Sequence, residues 1–129
     1  MEDLEKYAEL TASSLVYLHL EILGIRTLDA DHVVTHIGKA IGISSMLYGF
    51  PQLTFSGDTI LPRQVMNSND LGNHAFQSII SKLASKKSKI DVSSEDYKAL
   101  GNVIYEIASC AHGHLEHARE LNVPKEVRI

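Results

Sequence analysis

The amino-acid sequence predicts an all-α fold, with two long antiparallel helices early in the chain and shorter helices around them. Three observations carry that expectation. Apolar residues recur at three- and four-residue steps over long segments, no alternating run lasts long enough to build a sheet, and Gly, Pro or cap-forming residues stand where the periodic segments end. A chain of 129 residues buries about two-thirds of its unfolded surface on folding, which suits one core and a single domain over 1–129. A hydrophobic fraction of 44% with 22% charged residues excludes wholesale disorder.

The first helix is expected over 2 to 23, with Leu4, Tyr7, Ala8, Leu15, Leu18 and Ile22 on one face and Gly24 at the C-terminal cap position. Glu2, Asp3 and Glu5 fall in its first turn, where the helix dipole favours carboxylates. After the short link Ile25 to Leu28, Thr27 and Asp29 are candidate N-caps for a second helix over 29 to 48, with Val33, Ile37, Ala40, Ile41, Ser44, Leu47 and Tyr48 at helical spacing. Gly38 and Gly42 stand one turn apart inside it. Two interior glycines cost roughly 1 kcal/mol each against alanine, so close approach of another helix or of a ligand is expected there.

Gly49 to Leu61 loses all periodicity and carries Pro51, Ser56-Gly57-Asp58 and then Pro62, which reads as a surface loop. Pro62 suits the first turn of a short helix through Met66, ended by Asn67-Ser68-Asn69-Asp70. A helix over 73 to 85 follows, and the segment 81–93, with Lys82, Lys86, Lys87 and Lys89, reads as a polar connection. Ser93-Ser94-Glu95-Asp96 has the form of a capping box ahead of a long final helix over 94 to 120. Leu100, Val103, Ile104, Ile107, Ala111, His114 and Ala118 mark its buried face.

Several function classes drop out. A net charge of -4 is no nucleic-acid footprint. The sole cysteine, Cys110, excludes an internal disulfide and any CxxC site. The acidic start, Met1 to Lys6, has the wrong sign for a secretory or mitochondrial leader. The longest apolar stretch, Leu15 to Ile25, is interrupted by His19 and Glu21 and is too short to span a bilayer.

Seven histidines raise the question of a metal. On an unbroken helix at about 100° per residue, His112 and His114 diverge, while His114 and His117 lie about 60° apart. His114 falls on the apolar face and reads as a hydrogen-bonded core histidine. His32 and His36 share a face near Asp29 and Asp31, in an arrangement zinc can use, but no third ligand is in view and the pair reads as a solvated flank. The carboxylate pairs Glu5/Glu9, Asp91/Glu95 and Glu116/Glu120 read as solvated charge. Cys110 is taken to lack a histidine on a suitable turn. No metal, cofactor or catalytic residue is expected from spacing alone.

The residues nevertheless carry a resemblance. The runs Ala12 to Leu18, His36 to Gly49 and Gly57-Asp58-Thr59-Ile60-Leu61-Pro62, with Val103 to Ser109 and His114 to Arg119, resemble the central part of the squalene/phytoene synthase family. In that family the second run carries Gly-x-Ala-x-Gln-x-Thr-Asn-x-x-Arg-Asp. This chain has Ser45 at the asparagine position, Tyr48 at the arginine and Gly49 at the first aspartate.

The resemblance implies a partial isoprenoid synthase-like helical fold, covering less than half of a full family domain. It also implies a vestigial cleft lined by Ser14, Gly38, Gly42, Ser45 and Tyr48. Without both aspartate clusters a diphosphate leaving group lacks its Lewis acid, so a non-catalytic member is implied. The similarity is closer still to a mitochondrial branch that assists assembly of respiratory complex I, which implies complex I subunits or other assembly factors as partners, at the matrix side of the inner membrane. The alternatives are a prenyl-diphosphate condensing enzyme of the same fold and a helical fragment that folds on a partner.

Overall fold

Residues 2 to 22 form one helical run whose periodicity changes part-way: α1 (Glu2–Ala8), a π-helical turn (Glu9–Ser13) and α2 (Ser14–Ile22). The chain is described here from a computed structural model over residues 1–54, 59–85, 91–121 and 125. In the π turn the Glu9 carbonyl accepts the N–H of Ser14, five residues on, so one extra residue enters the turn and rotates everything beyond it. The buried face that starts at Leu4 and Ala8 therefore continues through Ser13 to Leu20, with Val16 and Tyr17 packed beside it. This corrects the predicted face. Leu15, Leu18 and Ile22 are exposed, because an uninterrupted α-period places the buried set too early after the turn; Tyr7, ahead of the turn and beside the buried Ala8, is exposed as well.

Gly24 (φ 72°) ends α2. The N–H of Ile25 reaches the Leu20 carbonyl at 3.0 Å and that of Gly24 reaches Glu21 at 3.1 Å, the paired bonds that close a helix through a left-handed residue. Of the two candidate N-caps it is Thr27 that serves: its Oγ1 accepts the Ala30 N–H at 3.2 Å.

α3 (Leu28–Thr54) then returns antiparallel to the first run, as expected. Leu20 packs on Ala30 and Val34, Ser13 reaches Thr35 and Gly38, and Ala8 reaches Gly42. The expected close approach is thus made by a helix. An added Cβ at Gly38 would lie 2.4 Å from Ser13 Cα, and one at Gly42 would lie 2.9 Å from Ala8 Cα.

α3 runs six residues past the predicted end, so the loop expected from Gly49 begins late: 49–54 are helical, and 55–58 lie outside the described residues. Pro51 has no N–H to offer the Leu47 carbonyl, but Phe50 is buried beside Phe76, with ring centroids 6.0 Å apart, and anchors the added turn. α4 (Arg63–Ser68) has Pro62 as its cap residue. Asp70, at φ 57°, closes it with the same bond pair as Gly24, Leu71 N–H to Met66 and Asp70 N–H to Asn67.

α5 (Asn73–Ser85) matches its predicted span and buries Phe76, Ile79 and Ile80. Of the connection predicted over 81–93, residues 81–85 belong to this helix and 86–90 lie outside the described residues. Before α6 (Glu95–Glu120) the observed local bonds differ from a capping box: Asp91 accepts both the N–H and the hydroxyl of Ser93. Those bonds hold its carboxyl below the usual range. Leu100, Val103, Ile107, Ala111 and Ala118 are buried along α6 as predicted.

The described elements are all helical. Contacts divide the chain into two units, Met1 with Met46–Ile107, and Glu2–Ser45 with Ala108–Ile129. The first has its core in Phe50, Met66, Leu71, Phe76, Ile79, Val103 and Ile107. The second contains the α1–α2/α3 pairing and the last three turns of α6. Among the described residues, no helix is long and apolar enough to cross a membrane.

Candidate functional site

The second unit brings four histidines, a thiol and a carboxylate close together. Gly38 and Gly42 let the first helical run lie against α3, and that approach fixes which polar residues of each helix meet. Lys39 pairs with Glu9 at 3.3 Å. The Ser13 hydroxyl donates to the Thr35 carbonyl at 3.3 Å. Thr35 spends its own hydroxyl proton on the Asp31 carbonyl at 2.9 Å, so the Tyr17 hydroxyl donates to Thr35 Oγ1.

Beside this pairing stand His32 and His36 of α3 with His114 and His117 of α6. The His36 ring lies 5.3 Å from that of His32, 4.4 Å from His117 and 5.2 Å from His114, and His32 lies 5.8 Å from His117, all between centroids. His36 and His114 share a hydrogen bond, Nδ1 to Nδ1 at 2.9 Å. One of the two nitrogens must carry the proton and the other must not. On its far side His114 Nε2 approaches Glu5 Oε1 at 3.5 Å without meeting hydrogen-bond geometry, and it is a buried nitrogen with no hydrogen-bond partner. Cys110 Sγ donates to the same Glu5 oxygen at 3.2 Å.

Electrostatics follow from this crowding. Burial, then the neighbouring His117, His114, His32 and Lys39, push the His36 pKa from 6.5 to about 4, so the ring is neutral at physiological pH. Burial first, and then the carboxylate of Glu5, push the Cys110 thiol up to about 11. Cys110 is therefore a protonated donor and no nucleophile.

Among the described residues two trios stand close enough to share one ion, His32/His36/His117 and Glu5/Cys110/His114, each with one ligand atom per residue within 4.8 Å of the others. The spacing argument missed both, for different reasons. The third histidine for His32 and His36 is His117, which comes from another helix 81 residues along the chain (117 − 36). Cys110 does have a histidine one turn away, His114, and the half-buried Glu5 faces both. Glu5 and Glu9 are thus partnered side chains and not the solvated pair their spacing suggested, while His114 is the hydrogen-bonded inner histidine expected.

The family model for squalene/phytoene synthase matches residues 1–128. The chain belongs to the squalene/phytoene synthase family. Among curated relatives, the mouse protein named NADH dehydrogenase (ubiquinone) complex I, assembly factor 6 is 38% identical over 128 residues, covering 98% of this chain and 34% of the relative. The human protein of that name is 38% identical over 122 residues, covering 95% and 32%. The Drosophila melanogaster homologue is 34% identical over 130 residues, covering 99% and 35%. The chain thus spans about a third of the length of the curated relatives it matches. No solved structure matches it.

The five residues placed by the family resemblance in a cleft are distributed unevenly. Gly38 and Gly42 are buried, with Ser13 and Ala8 against them. Ser14 and Ser45 are exposed, and Tyr48 is 87% exposed.

Proposed function

We propose that this chain is a non-catalytic squalene/phytoene synthase-like protein that assists assembly of mitochondrial respiratory complex I. The supporting observation is that the curated relatives aligned across nearly its whole length bear the name of a complex I assembly factor. The chemistry at the family's motif positions agrees. Magnesium takes hard oxygen ligands, above all carboxylates, and Ser45, Tyr48 and Gly49 supply no carboxylate. A prenyl diphosphate at those positions meets a hydroxyl, a phenol and a bare backbone, which give an ionising leaving group little stabilisation.

In this reading the partners are complex I subunits or other assembly factors, met at the matrix side of the inner membrane. On the same reading Ser14, Ser45 and Tyr48 hold family motif positions as exposed, uncharged side chains, while Gly38 and Gly42 serve the contact with Ser13 and Ala8. The domain is one part of a longer family domain.

The test is depletion of the protein in its own cells, followed by native-gel analysis of respiratory complexes. Loss of assembled complex I with complexes II to IV unchanged is expected, and normal complex I refutes the reading. Magnesium-dependent consumption of a prenyl diphosphate by the purified protein would overturn its non-catalytic part.

A further inference from the structure

The histidine cluster has a geometry that the assembly reading does not use. A tetrahedral zinc ion bound by three imidazoles holds each nitrogen at about 2.0–2.1 Å, which sets ring centroids about 3.2 Å from the ion and about 5.2 Å from one another. The three centroid separations in the trio of His32, His36 and His117 are 5.3, 5.8 and 4.4 Å. The first is close to the ligated value, and the other two fall about 0.6 Å above and about 0.8 Å below it. Two of the rings come from one turn of α3 and the third from α6, so the site is preformed by helix packing and needs no loop to close on it.

The surroundings of His36 are those of a metal ligand. A ligating imidazole almost always hydrogen-bonds through its other ring N–H, commonly to a carboxylate, a backbone carbonyl or water, which fixes tautomer and ring orientation; for His36 that partner is the His114 ring. With Nδ1 of His36 donating to Nδ1 of His114, Nε2 of His36 is left as the lone-pair nitrogen, while Nε2 of His114 faces Glu5 Oε1 at 3.5 Å. That inner nitrogen of His114 has no hydrogen-bond partner, and a metal-bound His36 gives the His114 ring a reason to sit between the trio and Glu5. His32 and His117 are exposed, so the outer coordination position opens to water.

We propose that His32, His36 and His117 bind one divalent transition-metal ion of the zinc class, with His114 and Glu5 as positioning residues and water in the fourth position. Three neutral imidazoles suit zinc, nickel or copper and offer nothing that favours magnesium or calcium. The site is separate from the family's motif positions on the same helix, and it stands or falls independently of the assembly role.

The experiment titrates the full chain, stripped with chelator, with zinc in competition with a chromophoric chelator, and then records the visible spectrum of the cobalt(II) form. One equivalent should bind and give an intense tetrahedral cobalt band without thiolate charge transfer. His32→Ala and His117→Ala, both at exposed positions, should weaken binding at least 100-fold with helical circular dichroism unchanged. Glu5→Gln should weaken it about 10- to 100-fold. Absence of stoichiometric binding overturns the proposal. Binding that survives both histidine substitutions but is lost with Cys110→Ser, or a thiolate-to-cobalt band, also overturns it by moving the ion to Glu5, Cys110 and His114.

Discussion

Replacing Gly38 with alanine tests the helix approach on which the rest of the second unit depends. The new Cβ would lie 2.3 Å from Ser13 Oγ and 2.4 Å from Ser13 Cα. Rotating the Ser13 side chain relieves the first contact but not the second, which is backbone. Ordinary contact begins near 3.4 Å, so the two helices must part by about 1 Å. Overpacking of this kind costs about 1–3 kcal/mol, and parting the helices also stretches the Ser13 to Thr35 hydrogen bond. Against that, alanine gains about 1 kcal/mol over glycine inside a helix. With about 1 kcal/mol more for the stretched hydrogen bond, the net expectation is destabilisation by about 1–3 kcal/mol, which in a chain of this size lowers the melting temperature by roughly 3–15 °C. Gly113 is the internal control. It lies in the α6 segment of the same unit, is exposed, and has nothing within 4 Å of an added Cβ, so Gly113→Ala should stabilise by about 0.5–1 kcal/mol. Thermal melts followed by circular dichroism give both signs in one experiment. If Gly38→Ala melts as high as Gly113→Ala, the reasoning from close backbone contact is wrong.

Three further outcomes follow from single residues. Asp70 pays the steric cost of a left-handed conformation at φ 57°; Asp70→Gly should stabilise by about 0.5–1 kcal/mol in urea unfolding, and a loss of stability would mean that the Asp70 side chain contributes more than its backbone strain. With the Cys110 pKa pushed up to about 11 from 9.0, thiolate at pH 8 is roughly 100-fold scarcer than in the unfolded chain, so a thiol reagent should label the native protein at least 100-fold more slowly; equal rates refute the Glu5 contact. His36 titrates near 4 in the fold against 6.5, so between those values the unfolded chain binds the extra proton and stability falls as pH falls from 6.5 towards 4. In chelator, His36→Gln should make that decline shallower, and an unchanged slope would exclude His36 as its source.

The residue pattern made much of the architecture legible, because capping and periodicity are local properties. Gly24, Thr27 and the apolar face of α6 are set by neighbours within a turn or two, and each serves as its position in the sequence indicates. Gly38 and Gly42 announced a close approach, since glycine inside a helix costs stability unless something needs the space. The π turn was hidden: no residue type in Glu9–Ser13 demands it, and its effect, a one-residue slip of the buried face from Leu15 to Val16, depends on what α3 presents across the interface. The cluster was hidden for a related reason. His36 and His117, or Glu5 and Cys110, become neighbours through helix packing at separations far beyond any periodic window. A histidine whose partners lie on another helix looks the same in sequence as one facing solvent.

Local rules are broken in one region more than elsewhere. Two interior glycines, a π turn, a half-buried Lys39–Glu9 pair and four histidines with a carboxylate and a thiol all fall within the second unit, and each costs stability against a plain alternative. Leucine at His114 would bury more apolar area and leave no inner nitrogen without a partner, which alone is a penalty of about 1–3 kcal/mol. The first unit packs Phe50, Phe76 and Ile79 at its centre, and among its described residues the Tyr97 hydroxyl is likewise buried without a partner, but it gathers no comparable cluster of ionisable side chains among those residues. If stability alone shaped both units, their interiors would look alike. That the costs accumulate around His36 and Glu5 marks this region as the place where the chain gives up stability for another purpose, and three imidazoles with ligand atoms within 4.8 Å of one another are what point to that purpose.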